Sequence, residues 1–367
     1  MKVVDINEGE SMYIGRIVCV SRTKDDRLCA SYRVSSRSFP NRTAVIGENK
    51  VSIVPKAGHE ADVHKNPYIA YNCVRVICDG AVAVVTNVEA DHLDTYGSLE
   101  GVFEAFEKFL DGLLPDGSAV ICADDHGASR LVTRSESRVR TYGLGAGAQV
   151  RAVDVEARAG GMGFRVIDEG VDRGTFELQV PGVHNLLNAL GAASAARCFG
   201  VDWGDVRDGL TAYQGVERRF QTVGLGRGIL IVDDYAHHPS EIRATLAAAR
   251  GAHPDRRIVA VFQPHLFTRT RDFADEFGRA LTAADSIWVT DVFPAREDPI
   301  EGVTGEMVAL AAGRAGGDVH YHADVSTMAD AVMKELVSGD LLLTMGAGSI
   351  DRVAHELVAR LEETPHA

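Results

Sequence analysis

Nothing in the 367 residues approaches the roughly 20 consecutive apolar positions that a membrane span requires, so no membrane-embedded role is expected. The first ten residues, MKVVDINEGE, lack a basic region followed by an apolar core, and no signal peptide is expected. Cysteine is sparse. Cys19, Cys29, Cys73, Cys78, Cys122 and Cys198 include no CxxC pair and no dense framework, which fits a reduced, cytoplasmic protein and argues against a disulfide scaffold. Cys73 and Cys78 could flank a small metal or redox centre, but no second pair completes a zinc site. Basic excess is missing too: the formal net charge is −14, where a nucleic-acid partner would call for a basic face. Finally, no Gly-Lys-Ser or Gly-Lys-Thr occurs, so the lysine-bearing loop that usually cradles nucleotide phosphates is absent from the chain.

What is present is an ordinary globular composition, 46% hydrophobic and 25% charged, long enough for two or three domains. The charge is uneven. Residues 1–80 hold twelve Lys and Arg against nine Asp and Glu (net +3), and the remainder 26 against 43 (net −17), which places a boundary near residue 80. Residues 1–80 stay unassigned. Their short apolar runs are interrupted by turn residues, Arg33 to Arg42 reads as loop, and the weak periodicity is that of an aberrant or foreign stretch.

From residue 81 the periodicity sharpens. Ala81 to Val88 reads as a buried parallel strand, and Ser98 to Leu113 as a helix with Leu99, Val102, Phe103, Phe106, Phe109, Leu110 and Leu113 on one face. Residues 149–181 read as a meander with turns at Gly160-Gly161 and Glu169-Gly170. His184 to Cys198 and Trp203 to Tyr213 read as helices. Beyond Gly228, strands at 229–234, 257–262, 286–290 and 340–345 alternate with helices at 239–250, 271–283, 304–313, 325–337 and 350–362, the pattern of a doubly wound parallel sheet. The glycine-rich Gly224 to Gly228 marks a second boundary near 225.

Six segments could carry chemistry. In Thr86 to Asp94 (TNVEADHLD), carboxylates and His92 at a strand's carboxyl end could hold a divalent cation, or simply cap the next helix. Asn185 and Asn188 share the first turn of a helix and suit either a nucleobase edge or capping. Arg218 and Arg219 suit a phosphate or a surface ion pair. Asp233 to Glu241 (DDYAHHPSE) packs carboxylates, a phenol and two imidazoles at a strand end, a density hard to explain structurally. Gln263 to Asp272 (QPHLFTRTRD) offers His265, Arg269 and Arg271 at the end of the next strand, so the two segments could face one crevice. Gly346 and Gly348 form a GxGxx turn with Asp351 where a dinucleotide fingerprint wants a third small residue, and they close the chain instead of opening a βαβ unit. Nicotinamide chemistry is thereby disfavoured. A metallohydrolase on His237 and His238 is disfavoured too, because adjacent histidines point apart.

Taken in order, TNVEADHLDTYG, PGVHNLLNA, GVERRF, DDYAHHPSEI, QPHLFTRTRDF, DVFPAREDPIEGVTG and GDLLLTMGAGSID resemble the Mur ligase family over about residues 81–360. The resemblance implies an incomplete central ATPase domain (81–225) followed by a Rossmann-like, doubly wound C-terminal ligase domain (226–367). It implies an ADP-forming ligase that joins L-alanine to UDP-N-acetylmuramate in the cytoplasm, with ATP and Mg2+. By motif, His92 would bind the magnesium ion. Asn185 and Asn188 would approach the adenine, and Arg219 and Asp234 the nucleotide, Asp234 on its ribose. Tyr235, His237, His238, His265 and Arg269 would face the muramoyl and alanyl groups, with His92, His237, His238 and Arg269 taken as catalytic. The missing phosphate loop leaves the alternative of a homologue that binds ligand without ATP turnover. It also implies that the 81–88 strand lacks sheet neighbours and exposes apolar surface.

Overall fold

The computed structural model describes residues 13–22, 28–35, 42–47, 50–55 and 82–363, apart from 91–92, 114, 134–137 and 159, with side chains described from Val82 onward. Two sheets organise it. The first grows from the apolar run at 82–88. β5 (Val82–Val85) is buried along its length and pairs in parallel with β6 (Ser118–Cys122), which pairs with β7 (Arg138–Gly143) and through it with β8 (Val150–Arg158). β9 (Gly161–Asp168) and β10 (Val171–Leu178) complete the expected meander, antiparallel.

The pleat divides β5 between two cores. Val82 and Val84 face α4 (Val183–Cys198) and α5 (Trp203–Ala212), among Val120, Tyr142, Phe164 and Leu186. Ala83 and Val85 face α2 (Leu99–Asp111), whose Val102, Phe103 and Leu110 are buried. Ser98 caps α2, accepting from the Gly101 amide at 3.2 Å. Two short helices, α1 (Leu93–Tyr96) and α3 (His126–Arg130), close the strand ends.

The strand at 82–85 does have a neighbour on its other side. β1 (Tyr13–Arg22) runs antiparallel to it, with Val18 opposite Val84, and β2 (Leu28–Ser35) follows. The edge expected to be bare is therefore paired. Arg33 to Ser35, read as loop, ends β2, and β3 (Arg42–Gly47) with β4 (Lys50–Pro55) forms a separate hairpin.

The second sheet has the order β11 (Gln221–Gly226), β12 (Ile229–Asp234), β16 (Leu341–Met345), β13 (Ile258–Phe262), β14 (Ser286–Val289), β15 (Val319–Tyr321), parallel except for β11. α6 (Pro239–Ala252), α7 (Phe267–Leu281) and α8 (Gly305–Arg314) cover one face; α9 (Met328–Met333) and α10 (Asp351–Glu363) cover the other. This is the doubly wound arrangement expected. β12 and β13 are not adjacent, however: β16 inserts between them, and its helix lies on the opposite face. The order of connections switches at β16, so the crevice at the strand carboxyl ends opens there.

Gly224 and Gly226, from the stretch where a boundary is expected, lie within β11, where a Cβ would come within 2.8 Å of Val358 and 2.6 Å of Leu361 on α10. Their lack of a side chain permits close packing of α10 against β11.

Gly346, at the end of β16, has φ +148°, and a Cβ there would lie 2.8 Å from the Gln263 carbonyl oxygen. Gly346→Ala should therefore cost about 1–3 kcal/mol. Gly313→Ala, in α8 with open space around it, should be neutral or stabilising by about 0.5–1 kcal/mol. Urea unfolding of the two variants checks the contrast, and equal midpoints would contradict it.

Candidate active site

The carboxyl end of β12 carries two buried aspartates, and both are spent on the frame of the site. Asp233 accepts from Thr344 Oγ1 at 2.6 Å on β16 and from Arg218 Nε at 2.9 Å. The same guanidinium donates to the carbonyls of Gly348 (3.1 Å) and Gly346 (2.8 Å). Arg218 thus ties the GVERRF segment to the ends of β12 and β16, from a left-handed backbone with φ +57°. Burial pushes the Asp233 carboxyl up, and the Arg218 charge opposes it.

Asp234 is more enclosed still. Its Oδ2 accepts from the Phe220 amide and its Oδ1 from the Ala236 amide, each at 2.8 Å. Burial raises its pKa to about 6, against Arg219 and the two amides. Expected on a ribose, this side chain is only 3% exposed and instead pins the loop on either side of it.

Past Asp234 the chain turns into α6. Pro239 occupies the first turn, and the Glu241 carboxylate accepts from the amides of His237 (3.0 Å) and His238 (3.1 Å), satisfying donors that a helix start leaves open. The histidines diverge. His237 Nδ1 donates to the Tyr235 carbonyl at 2.8 Å, whereas His238 Nδ1 meets Ser240 Oγ at 2.9 Å. A row of rings then crosses the crevice: Tyr235 to His237 (5.2 Å), His237 to His265 (5.9 Å), and His265 stacked on Phe293 (5.8 Å). Arg218 and Arg219 lie 5.1 and 5.5 Å from the Tyr235 ring centre. The Arg219 side chain is 41% exposed, with Glu241 3.8 Å away.

The QPHLFTRTRDF segment enters through Leu266, whose φ is +71°, and α7 starts directly after it. Glu297 caps this start, accepting from Thr268 N at 3.0 Å and Thr268 Oγ1 at 2.5 Å. Arg269 follows, buried at 7% exposure.

The first unit reaches the crevice from the end of β5. Asn87 Nδ2 donates to Glu89 Oε1 at 2.7 Å, and Glu89 Oε2 accepts from Ser240 Oγ at 2.6 Å, across the two units. On α4, Asn185 Nδ2 donates to the Pro181 carbonyl at 2.7 Å and Asn188 is exposed. The expected metal ligand His92 lies outside the described residues, and among these no group of three His, Cys, Asp or Glu side chains could hold a metal.

The geometry thus gathers Arg219, Asp234, Tyr235, His237, His238 and His265 into one connected set. It adds Arg218, Glu241, Glu89 and Ser240, which the family resemblance had not placed at the site. Glu241 had a local signal, a glutamate at the third helical position after His-His-Pro. The reach of Glu89 to Ser240 has none in the sequence.

A doubly wound sheet, with a crevice at its switch point beside a second α/β unit, defines the open α/β class, in which ligands bind at the carboxyl ends of the strands. Residues 218–348 match the family described as Mur ligase, glutamate ligase domain, and residues 66–196 match the Mur ligase middle domain. Residues 13–99 match IMP cyclohydrolase-like protein, overlapping the middle-domain match. The chain is 44% identical over 309 residues to UDP-N-acetylmuramate–L-alanine ligase of Cutibacterium acnes, covering 83% of this chain and 64% of that protein. It is 46% identical over 307 residues to the ligase of that name from Kineococcus radiotolerans, covering 83% and 63%. The crystal structure of UDP-N-acetylmuramate-alanine ligase from Thermotoga maritima superposes with a TM-score of 0.62 at 27% identity, over 76% of this chain and 59% of that one. MurF from Acinetobacter baumannii shares the fold, with a TM-score of 0.62 at 20% identity over 77% of this chain and 60% of that one. The chain spans a little under two thirds of the length of the curated relatives it matches. It belongs to the Mur ligase family.

A carboxyl whose pKa is raised on folding contributes most below its unfolded value, near 4, and that contribution is lost as the pH rises through about 6. Asp234→Asn removes this loss, and it also sets an amide N–H₂ against a backbone donor. The variant should be less stable than the parent throughout, with the deficit shrinking by up to about 3 kcal/mol between pH 4 and pH 7. Denaturant titrations at the two pH values check it; a deficit that grows with pH would reverse the assignment.

Proposed function

We propose that the chain is an ADP-forming ligase that joins L-alanine to UDP-N-acetylmuramate through an acyl phosphate, in the synthesis of peptidoglycan precursor. The observation that carries this reading is the crevice itself. Arginine and imidazole groups converge at the ends of β12 and β13, inside the region shared with relatives that bear the name of that ligase. In the proposed reaction a muramoyl carboxylate oxygen takes the γ-phosphoryl group of ATP and ADP leaves. The alanine nitrogen then bonds to the acyl carbon, and phosphate leaves with the electron pair of the C–O bond.

The residues divide accordingly. Arg219, the exposed guanidinium of the crevice, meets phosphate charge, held in place by the frame that Asp234 pins. Asn188 and Asn185 present amides toward the adenine from α4. Tyr235, His237, His238, His265 and Arg269 line the side where carboxylate and amine meet. No Gly-Lys-Ser or Gly-Lys-Thr is present to share the phosphate charge, so the reading places unusual weight on Arg219. Magnesium stays in the proposal as the partner of the ATP phosphates with His92 as its ligand, on motif grounds alone. Work in the cytoplasm follows from the substrates; no described helix is long and apolar enough to cross a membrane.

ADP release by the purified chain, given ATP, magnesium, UDP-N-acetylmuramate and L-alanine, tests the reading. Release should require both substrates and stop with a chelator, and the product mass should be that of the amide. Arg219→Ala should lower kcat/KM for ATP by roughly 10- to 100-fold. Ligand binding without any release would replace the ligase with a binding protein.

A further inference from the structure

We propose that Glu89 and Ser240 are positioning residues that fix His238 in the Nδ1–H tautomer, and that they do so only while the two units lie against each other. The kinetic consequence rests on the ligase reading; the tautomer does not.

Glu89 follows β5 in the first unit, whereas His238 and Ser240 flank Pro239 at the start of α6 in the second. Ser240 Oγ lies 2.6 Å from Glu89 Oε2. A carboxylate has no hydrogen to give, so the single hydroxyl hydrogen goes to Glu89. The Ser240 oxygen can then only accept, and the group 2.9 Å from it is His238 Nδ1. That nitrogen also lies 3.3 Å from Glu89 Oε2, a second acceptor. Nδ1 therefore carries the hydrogen, and in the neutral ring Nε2 carries the lone pair.

Nε2 is buried and has no hydrogen-bond partner among the described residues. The Phe273 ring, edge-on at 5.2 Å, helps hold the imidazole in this orientation. A buried acceptor without a donor costs free energy, which is recovered when a ligand brings one. In the proposed reaction the entering amino group is that donor. Because Glu89 comes from the other unit, separating the units removes the acceptor that fixes the ring. The imidazole is then set for the amine only when the crevice is assembled.

The test uses the full chain labelled with 15N-histidine, the His238 signals being assigned by their loss in His238→Gln. The wild-type ring should show the Nδ1–H pattern. Ser240→Ala and Glu89→Gln, first matched to wild type in unfolding midpoint, should shift it toward Nε2–H, and Ser240→Thr should retain it. In turnover the first two variants should lower kcat about tenfold or more with KM for ATP nearly unchanged, and Ser240→Thr should restore kcat. A wild-type ring in the Nε2–H form, or a tautomer unmoved in both disruptive variants, overturns the proposal. If the unmodified chain shows no ligase turnover, the ligase reading fails and the tautomer measurement still decides this one.

Discussion

Buried carboxylates at a strand end must be matched by donors, and Asp233 and Asp234 make that demand twice in succession. The matching donors come from outside β12: the Arg218 guanidinium and the Thr344 hydroxyl for Asp233, the Phe220 and Ala236 amides for Asp234. In meeting the demand they fix everything around them. Arg218 also engages the carbonyls of Gly346 and Gly348, so one side chain joins the segment before β11 to the ends of β12 and β16. Removing one partner from a buried ion pair typically costs about 3–5 kcal/mol, because the other charge is left stranded. The frame is therefore rigid for a definite reason, and the side chains that line the crevice are mounted on it.

That division explains a feature of the motifs. The acidic and basic residues of DDYAHHPSE and GVERRF look alike as chemistry-bearing side chains, yet the structure separates them into two kinds. Asp233, Asp234 and Arg218 are consumed by internal bonds. Arg219, Tyr235, His237 and His265 remain along the crevice. Sequence density marked the cluster, but it could not say which of its side chains turn inward. In GVERRF the answer depends on distant partners, which Arg218 finds in Asp233 and Gly348, 15 and 130 residues away.

The fold was legible wherever the information is local. The stripe at Val102, Phe103 and Leu110 gave α2, and Glu169-Gly170, both with positive φ, gave the turn between β9 and β10. It was illegible where a partner is distant. α7 begins four residues before its expected start because its cap is Glu297, 29 residues on, and QPHLFTR contains no cap of its own. Gly224 and Gly226 read as part of a boundary because glycine is usually a punctuator; here their small size answers to Val358 and Leu361 on α10. β15 was missed because it is a three-residue edge strand with exposed side chains. The segment before residue 80 was set apart by its charge, yet β1 and β2 join the sheet of β5. Its strands lay below the reach of periodicity, and their pairing with β5 supplies the neighbour that the apolar run needs.

The two units meet at the site through polar contacts. Their cores are separate, each with its own sheet and helices, so closing one on the other is not driven by a shared apolar core. Near the imidazoles the described polar link is the group formed by Glu89, Ser240 and His238. Polar links of this size contribute only about 0.5–1.5 kcal/mol each to holding surfaces together, which leaves the arrangement of the units easy to change. They are far more exacting about hydrogen placement, since each donor must face an acceptor. A weak but directional bond at this point is thus better suited to setting the state of an imidazole than to fastening two domains. The sequence hints at why: Glu89 sits three residues before His92 in one motif and Ser240 two residues after His238 in another, so each motif supplies one half of the link alongside its own candidate catalytic group.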